Sequence, residues 1–183
     1  MSLDRIKVVA GSIVDLDVGA IVNAANKSLL GGGGVDGVIH RAAGSNLLDD
    51  CRALGGCDVG DAKITPGHRL KAGYVIHTVG PIWRGGNNNE DALLAKCHQN
   101  SLSLARKHQI ESIAFPAIST GAYSFPLDRA AKIAIESVGN FLATDDSTLQ
   151  IIFCMIESKS FKAFSAALAT ATTQSTHPQR STQ

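Results

Sequence analysis

"NAANKSLLGGGGVDG", residues Asn23 to Gly37, sets four consecutive glycines between two asparagines and a single carboxylate, Asp36. Upstream, "AIVNAA" is a short apolar run of strand length, and from Val35 onward the apolar residues follow helical spacing. A glycine-rich loop between a strand and a helix holds anions well. Free backbone N–H groups and the positive end of the helix converge there, and glycine lets the backbone come within hydrogen-bonding distance of a phosphate. A P-loop is excluded, because Val35 and Asp36 follow Gly34 where Lys and Ser or Thr would be required. Gly32, Gly34 and Gly37 do spell GxGxxG, but the acidic residue near the required distance is Asp58. It lies in the loop-like "GGCDVGD" with no strand before it. A plain flexible linker is disfavoured too, since linkers rarely join strand to helix without polar filler.

On either side of this stretch, apolar runs of strand length alternate with stretches of helical period, the pattern of an α/β fold with a largely parallel or mixed sheet. The strand candidates are "IKVVAG", "AIVNAA", "AKIT", "YVIHTVG", "SIAFPAI" and "LQIIFCMI". Helices are predicted from about Val35, over Asn46 to Leu54, from Glu90 to about His108 with Asn89 as cap, from Pro126 to about Ala143, and from about Ser160. Leu93, Leu94, Cys97, Leu102 and Ala105 would share the buried side of the third. Ala130, Ile133, Ala134, Val138 and Phe141 would do so in the fourth, and Phe161, Phe164 and Leu168 in the last. Beyond Thr170, "ATTQSTHPQRSTQ" has no apolar period, so the expectation is one domain over residues 1–170 and a disordered polar tail over 171–183. A second glycine-bearing turn, "FPAISTGAYSFP", again runs from a strand end into a helix, and Ser119, Thr120 and Gly121 offer hydroxyls and N–H groups. Two such loops at the carboxyl ends of neighbouring strands would clasp a diphosphate without a cation.

The 183 residues suit a single core, and 17 basic against 16 acidic residues leave a formal charge of +1. No global field gathers nucleic acid or an anionic membrane, so phosphate recognition must be local. No apolar run approaches the ~20 residues of a membrane span, and "MSLDRIKVV" lacks a signal-peptide layout, so a soluble cytoplasmic protein is expected. Cys51, Cys57, Cys97 and Cys154 form no CxxC pair, which disfavours structural zinc and points to reduced, mostly buried thiols.

"IVNAANKSLLGGGGVDGVIHRAAG", "GDAKITPGHRLKAGYVIHTVGPIW" and "IAFPAISTGAYSFP" together resemble the macrodomain family, in particular its branch of bacterial O-acetyl-ADP-ribose deacetylases and mono-ADP-ribosylhydrolases. The likeness covers about residues 5 to 168. It implies a three-layer α/β/α sandwich with a mixed, largely parallel central sheet and a cleft for ADP-ribose at the strand ends. By this resemblance Asn26 binds hydroxyls of the distal ribose, while Gly32, Gly33, Gly34 and Val35 wrap that ribose and the diphosphate. Ser119, Thr120, Gly121, Ala122 and Tyr123 hold the diphosphate from the other side, and Tyr123 orients the distal ribose. Asp36, Asn26 and Tyr123 form the catalytic group. Asp36 orients or partly deprotonates a water near the anomeric carbon, the bound diphosphate helping to accept the proton. From residue type alone, a role for Asp36 as a helix cap would be preferred; the motif reverses that preference. Asp36 and His40 stand one helical turn apart and could pair, although a structural role against the sheet is the preferred reading of His40. His77 reads as a structural residue near a strand end and Cys154 as a core thiol.

At the adenine end the sequence departs from the family. The family usually reads Gly-Asp-Ile near the amino terminus, its aspartate accepting a bond from the adenine amine; here Gly11, Ser12 and Ile13 stand in its place. That exchanges a charge-assisted bond of about 1.5 to 3 kcal/mol for a neutral one from Ser12, while the Ile13 amide can still reach the ring. Where related deacetylases carry an aromatic residue on adenine, the alignment places Ile156, which packs without stacking electrostatics. Weaker or less base-selective binding is therefore expected.

The resulting function is a hydrolase of ADP-ribose esters, removing mono-ADP-ribose from acidic protein side chains or acetate from O-acetyl-ADP-ribose, with no cofactor and no metal. The alternative is a reader that binds ADP-ribose without cleaving it; Asp36 beside the scissile bond favours the enzyme. The expected partners are ADP-ribose, O-acetyl-ADP-ribose or a mono-ADP-ribosylated protein, without a membrane, and the default state is a monomer. A nucleic-acid module is disfavoured by the neutral charge and sparse aromatics, with only Trp83 beside Arg84 in "PIWRGG".

Overall fold

The computed structural model describes residues 3–176. Its strands are β1 (Ile6–Ala10), β2 (Ala20–Ala25), β3 (Ala62–Pro66), β4 (Tyr74–Val79), β5 (Ser112–Phe115) and β6 (Gln150–Met155). The helices are α1 (Gly34–Ala43), α2 (Ser45–Leu54), α3 (Glu90–Lys107), α4 (Leu127–Ala143) and α5 (Ser158–Thr176). One sheet orders the strands β1-β6-β5-β2-β4-β3. Every neighbouring pair is parallel except β3 against β4. The fold is thus a mixed, largely parallel α/β sheet, with all six strand candidates realised.

Side-chain alternation along the strands divides the core in two. Ala20, Val22, Ile76, Ile113, Phe115, Ile151 and Phe153 point toward α3, α4 and α5, where they meet Leu94, Leu102, Ala134, Val138 and Phe164. Ile21, Ala25, Val75, Val79 and Ala114 point the other way, toward Ile39 and Ala43 of α1 and Leu47 and Cys51 of α2. With helices on both faces, the molecule is a three-layer sandwich. A central strand buried on both faces has no polar side, which is why β2 reads as a nearly continuous apolar run.

Several local expectations are corrected. Helix α1 begins one residue early, at Gly34, with Gly33 as its cap. Asn89 does occupy the cap position before α3, but its side chain makes no cap bond. The buried Glu90 instead braces the preceding loop, its carboxylate accepting from the amides of Arg84 (3.0 Å), Gly86 (3.2 Å) and Asn88 (2.6 Å). Pro126 is the cap of α4 rather than its first residue. Helix α5 runs past the tail boundary expected at residue 170, to Thr176. Ala171 packs on the core, and the Thr170, Thr172, Thr173 and Ser175 hydroxyls each donate to the carbonyl four residues back. Residues 177–183 of that expected tail lie outside the described residues. Among the described residues no helix is long and apolar enough to cross a membrane, and no cluster of His, Cys, Asp or Glu could hold a metal ion. The four cysteines are free and buried.

Candidate functional site

Because β1, β6, β5, β2 and β4 are parallel, their carboxyl ends share one edge of the sheet. The sequence-predicted site residues follow these strands, so the strand order lines them up along that edge.

At the end of β2, Leu29 is buried and takes a left-handed backbone (φ 61°), anchoring the loop. Asn26 braces it. Its Nδ2 donates to the Gly31 carbonyl (2.9 Å), while its Oδ1 accepts from the Ser28 hydroxyl (2.7 Å). Gly37 is required by contact, since a Cβ there would lie 2.6 Å from the Gly32 carbonyl. The chain then turns through Gly31 (φ 89°) and Gly34 (φ 57°) into α1. The amides of Gly32, Gly33, Gly34 and Val35 find no backbone acceptor among the described residues, leaving a cluster of donors at a helix start.

The second loop follows β5. Ser119 is left-handed (φ 65°), and its buried hydroxyl has no partner among the described residues. The turn is closed by Phe125 N–H to the Ser119 carbonyl (2.9 Å) and Ser124 N–H to the Gly121 carbonyl (2.9 Å). Thr120 turns its hydroxyl back to the Ala117 carbonyl. The amides of Gly121, Ala122 and Tyr123 have no backbone acceptor among the described residues, while the Tyr123 carbonyl accepts from Trp83 N–H (2.9 Å) in the loop after β4. Neighbouring strands therefore end in two amide-bearing loops, as the sequence predicts.

Asp36 sits in the first turn of α1, 3% exposed, and makes no bond to its own helix cap. Its Oδ1 accepts from Asn23 Nδ2 (2.8 Å) and lies 3.3 Å from His40 Nε2. The carboxylate is thus turned toward the sheet, which disfavours the capping role, and the one-turn spacing to His40 becomes a real approach. Oδ2 is aimed elsewhere: a Cβ built on Gly32 would lie 3.1 Å from it and 3.4 Å from Asn26 Nδ2, so carboxylate and amide converge on the loop. No hydrogen bond joins Asp36 to Asn26 or Tyr123 among the described residues; the three stand on separate segments of the same edge.

Beneath Asp36 runs a buried polar file. Asn23 Nδ2 also approaches His77 Nδ1 (3.2 Å), and His77 Nε2 approaches Thr65 Oγ1 (3.0 Å) and Cys51 Sγ (3.7 Å). Burial, helped by His40, lowers the His77 pKa to about 4, so the ring is neutral near pH 7. Sequence reading assigned Asn23 no role. The signal was an amide inside an otherwise apolar strand, a position that needs partners once buried.

At the other end of the edge, Ser12 and Ile156 follow the neighbouring strands β1 and β6. Ser12 is half-buried with no side-chain cap bond, and Gly11 N–H donates to the Met155 carbonyl (3.0 Å). Ile13 points into the core, leaving only its backbone for a ligand. Ile156 is 80% exposed. Cys154 is a core residue whose thiol donates to the Gly11 carbonyl (3.4 Å). A surface depression lined by Lys27, Ser28, Leu30, Arg52, Gly55 and Gly56 flanks the glycine loop but shares no residue with the amide clusters.

Compared with known proteins, residues 22–134 match the Macro domain family model. A Macro domain-containing protein of Methanosarcina mazei is 53% identical over 169 residues, covering 92% of this chain and 90% of its own. The ADP-ribose glycohydrolase MACROD2 of Xenopus laevis is 51% identical over 169 residues, covering 90% of this chain but 40% of that longer protein. The structure of a Trypanosoma brucei macrodomain in complex with ADP-ribose superposes with a TM-score of 0.84 at 40% identity, covering 90% of this chain and 69% of that one.

Proposed function

Since the chain belongs to the macrodomain family, we propose that it binds ADP-ribose along the carboxyl edge of its sheet and hydrolyses ADP-ribose esters. In this reading adenine lies at the end formed by Ser12, the Ile13 amide and Ile156. The diphosphate takes the amides of Gly32 to Val35 from one side and the loop from Ser119 to Tyr123 from the other, where the Gly121, Ala122 and Tyr123 amides have no backbone acceptor among the described residues. The distal ribose lies against Asn26, Asp36 and Tyr123. The substrate is a protein mono-ADP-ribosylated on an acidic side chain, or O-acetyl-ADP-ribose, handled by a monomer in the reducing cytoplasm.

The observation that carries the reading is the setting of Asp36. Its Oδ1 is tethered by Asn23, and its Oδ2 is directed at the loop where Asn26 also points. A carboxylate held in this way orients a water and draws on its proton as the water oxygen bonds to the anomeric carbon. The bond from that carbon to the acceptor oxygen breaks, the acceptor leaves as a carboxylate, and the proton passes to the diphosphate or to solvent. With an acetylated ribose, the same water adds to the ester carbonyl, the bond from the carbonyl carbon to the ribose oxygen breaks, that oxygen takes one of the water's protons, and acetate is released as the other passes to solvent. A reader would gain little from a buried carboxylate beside this bond, because burying a charge without using it costs stability.

The test is release of ADP-ribose from a substrate modified on glutamate. The parent is expected to turn over, and Asp36→Ala to lose roughly 100-fold or more of the rate while binding ADP-ribose nearly as well. Equal turnover by the two would remove Asp36 from the mechanism. Absence of turnover by a parent that binds ADP-ribose would make the protein a reader.

A further inference from the structure

The polar file beneath Asp36 has a direction. Asn23 and His77 are paired in the β2–β4 register, and Thr65 lies diagonally across on β3, so the three share the sheet face that α1 and α2 cover. Asn23 and His77 are fully buried there, and Thr65 nearly so. An Asn side chain has two donors on nitrogen and one acceptor oxygen. Here Nδ2 meets both Asp36 Oδ1 and His77 Nδ1, while Oδ1 is buried without a partner among the described residues. An orphaned buried oxygen is costly, so the orientation is imposed by the two groups that the nitrogen faces.

Rotating the amide would set its oxygen against the Asp36 carboxylate, acceptor against acceptor. It would also require a proton on His77 Nδ1. Conversely, a lone pair on Nδ1 calls for an N–H from Asn23 and leaves the ring proton on Nε2, where Thr65 Oγ1 accepts it. The other groups facing the ring keep it neutral but do not choose its tautomer; that choice rests on the Asn23 N–H. The Cys51 thiol is kept protonated, its pKa pushed to about 11 by burial, then by Asp36 and Asp50, and the His40 ring stands 6.4 Å away.

We infer that His77 is a positioning residue for Asp36, its Nδ1 lone pair holding the Asn23 amide with both N–H groups turned toward acceptors. The inference rests on the hydrolase reading for its kinetic consequence but not for its geometry. If the ring let Asn23 turn, Asp36 would lose its donor and swing away from the loop, and turnover would fall without loss of ligand contacts.

Two measurements test this. Imidazole nitrogen shifts of the labelled parent at pH 7 should show a lone pair on His77 Nδ1 and the proton on Nε2; a proton on Nδ1 would overturn the inference whether or not the protein is an enzyme. His77→Leu and His77→Asn are then compared, since Asn places an acceptor oxygen where Nδ1 stood. In His77→Leu, kcat should fall roughly 10- to 100-fold, with KM and the Kd for ADP-ribose within about threefold of the parent, and His77→Asn should recover most of the loss. Equal loss in two folded variants, or no loss in His77→Leu, would show the ring to be structural only. A parent without turnover would defeat the hydrolase reading alone. Exchange of the Asn23 side-chain amide, slow in the parent and His77→Asn and fast in His77→Leu, would still decide the role of His77.

Discussion

Gly80 illustrates how much a single residue can hold at the candidate site. Its conformation does not demand glycine, but a Cβ there would collide with Ser119 Oγ and lie 2.7 Å from Ile118 Cγ2. Gly80→Ala should therefore push the second loop outward, costing about 1 to 3 kcal/mol of stability and weakening ADP-ribose binding about tenfold, read by thermal melting and calorimetric titration. Unchanged affinity would mean that the Ser119 turn does not contact the ligand. At the opposite end, Ser12→Asp supplies a charged acceptor for an exocyclic amine. It should tighten ADP-ribose binding by about tenfold while leaving binding of the inosine analogue unimproved. No gain on titration would show that Ser12 is not limiting. The position of Asp36 after the glycine loop was legible in the sequence, but its proposed role came from the family resemblance, since residue type alone favoured a helix cap. His77 was legible only as a structural residue near a strand end, because its partner Asn23 lies on the neighbouring strand, and no sequence signal showed that Gly80 faces Ser119.

Among the elements, the amino terminus of α3 departs most from its expected form. Glu90 in the first turn suits the helix dipole, but its carboxylate is spent on the preceding loop, gathering the amides of Arg84, Gly86 and Asn88. Burial alone would raise the Glu90 pKa, yet the amides of Glu90, Asn88, Arg84 and Gly86 together lower it to about 2. The loop so braced carries Trp83, which packs on Phe125 (4.8 Å between ring centroids) and donates its N–H to the Tyr123 carbonyl. Glu90→Ala should lower Tm by roughly 5 °C, with faster amide exchange at Gly86 and Asn88 and none in the central strands. Protection unchanged at those two amides would show that the loop holds itself. Cap chemistry read from the sequence pointed to Asn89 because Asn is a common cap. It could not register that an acidic side chain one residue later would find three amides, since the path of the loop is a tertiary matter. Helix α5 makes the same point at the other terminus. Its Thr and Ser residues read as unfavourable, and their hydroxyls only satisfy themselves on the preceding turn, but packing of Ala171 on the core carries the helix past residue 170.

At the scale of the whole molecule, the two buried histidines set the response to acid. Burial lowers His77 to about 4, with His40 adding to it; burial likewise lowers His98 to about 4 against an opposing bond from its ring to the Leu94 carbonyl. Both folded values lie below the ordinary value near 6.5. Their stabilisation is therefore complete above pH 6.5 and lost between 6.5 and 4, where the unfolded chain takes up protons that the native state excludes. Below pH 4 these groups cost no more. Denaturant unfolding at pH 7.5 and 4.5 should differ by several kcal/mol, on the order of 3 for each histidine, and His98→Leu should remove roughly half of that difference. A flat profile would mean that the rings are charged or exposed in the native state. The same scale divides what was legible from what was not. The three-layer sandwich was implied only by the family resemblance, whereas local patterning in the chain was enough for the six strands, the five helices, their α/β class, both amide-bearing loops and the lone carboxylate. These follow from periodicity, glycine and turn chemistry, which act over a few neighbouring residues. Strand order and register were decided only in three dimensions, because residues far apart in the chain meet when their shared faces are buried together. That is why Asn23 and His77, 54 positions apart, became partners beneath Asp36, and why one edge of the sheet lines up the whole candidate site.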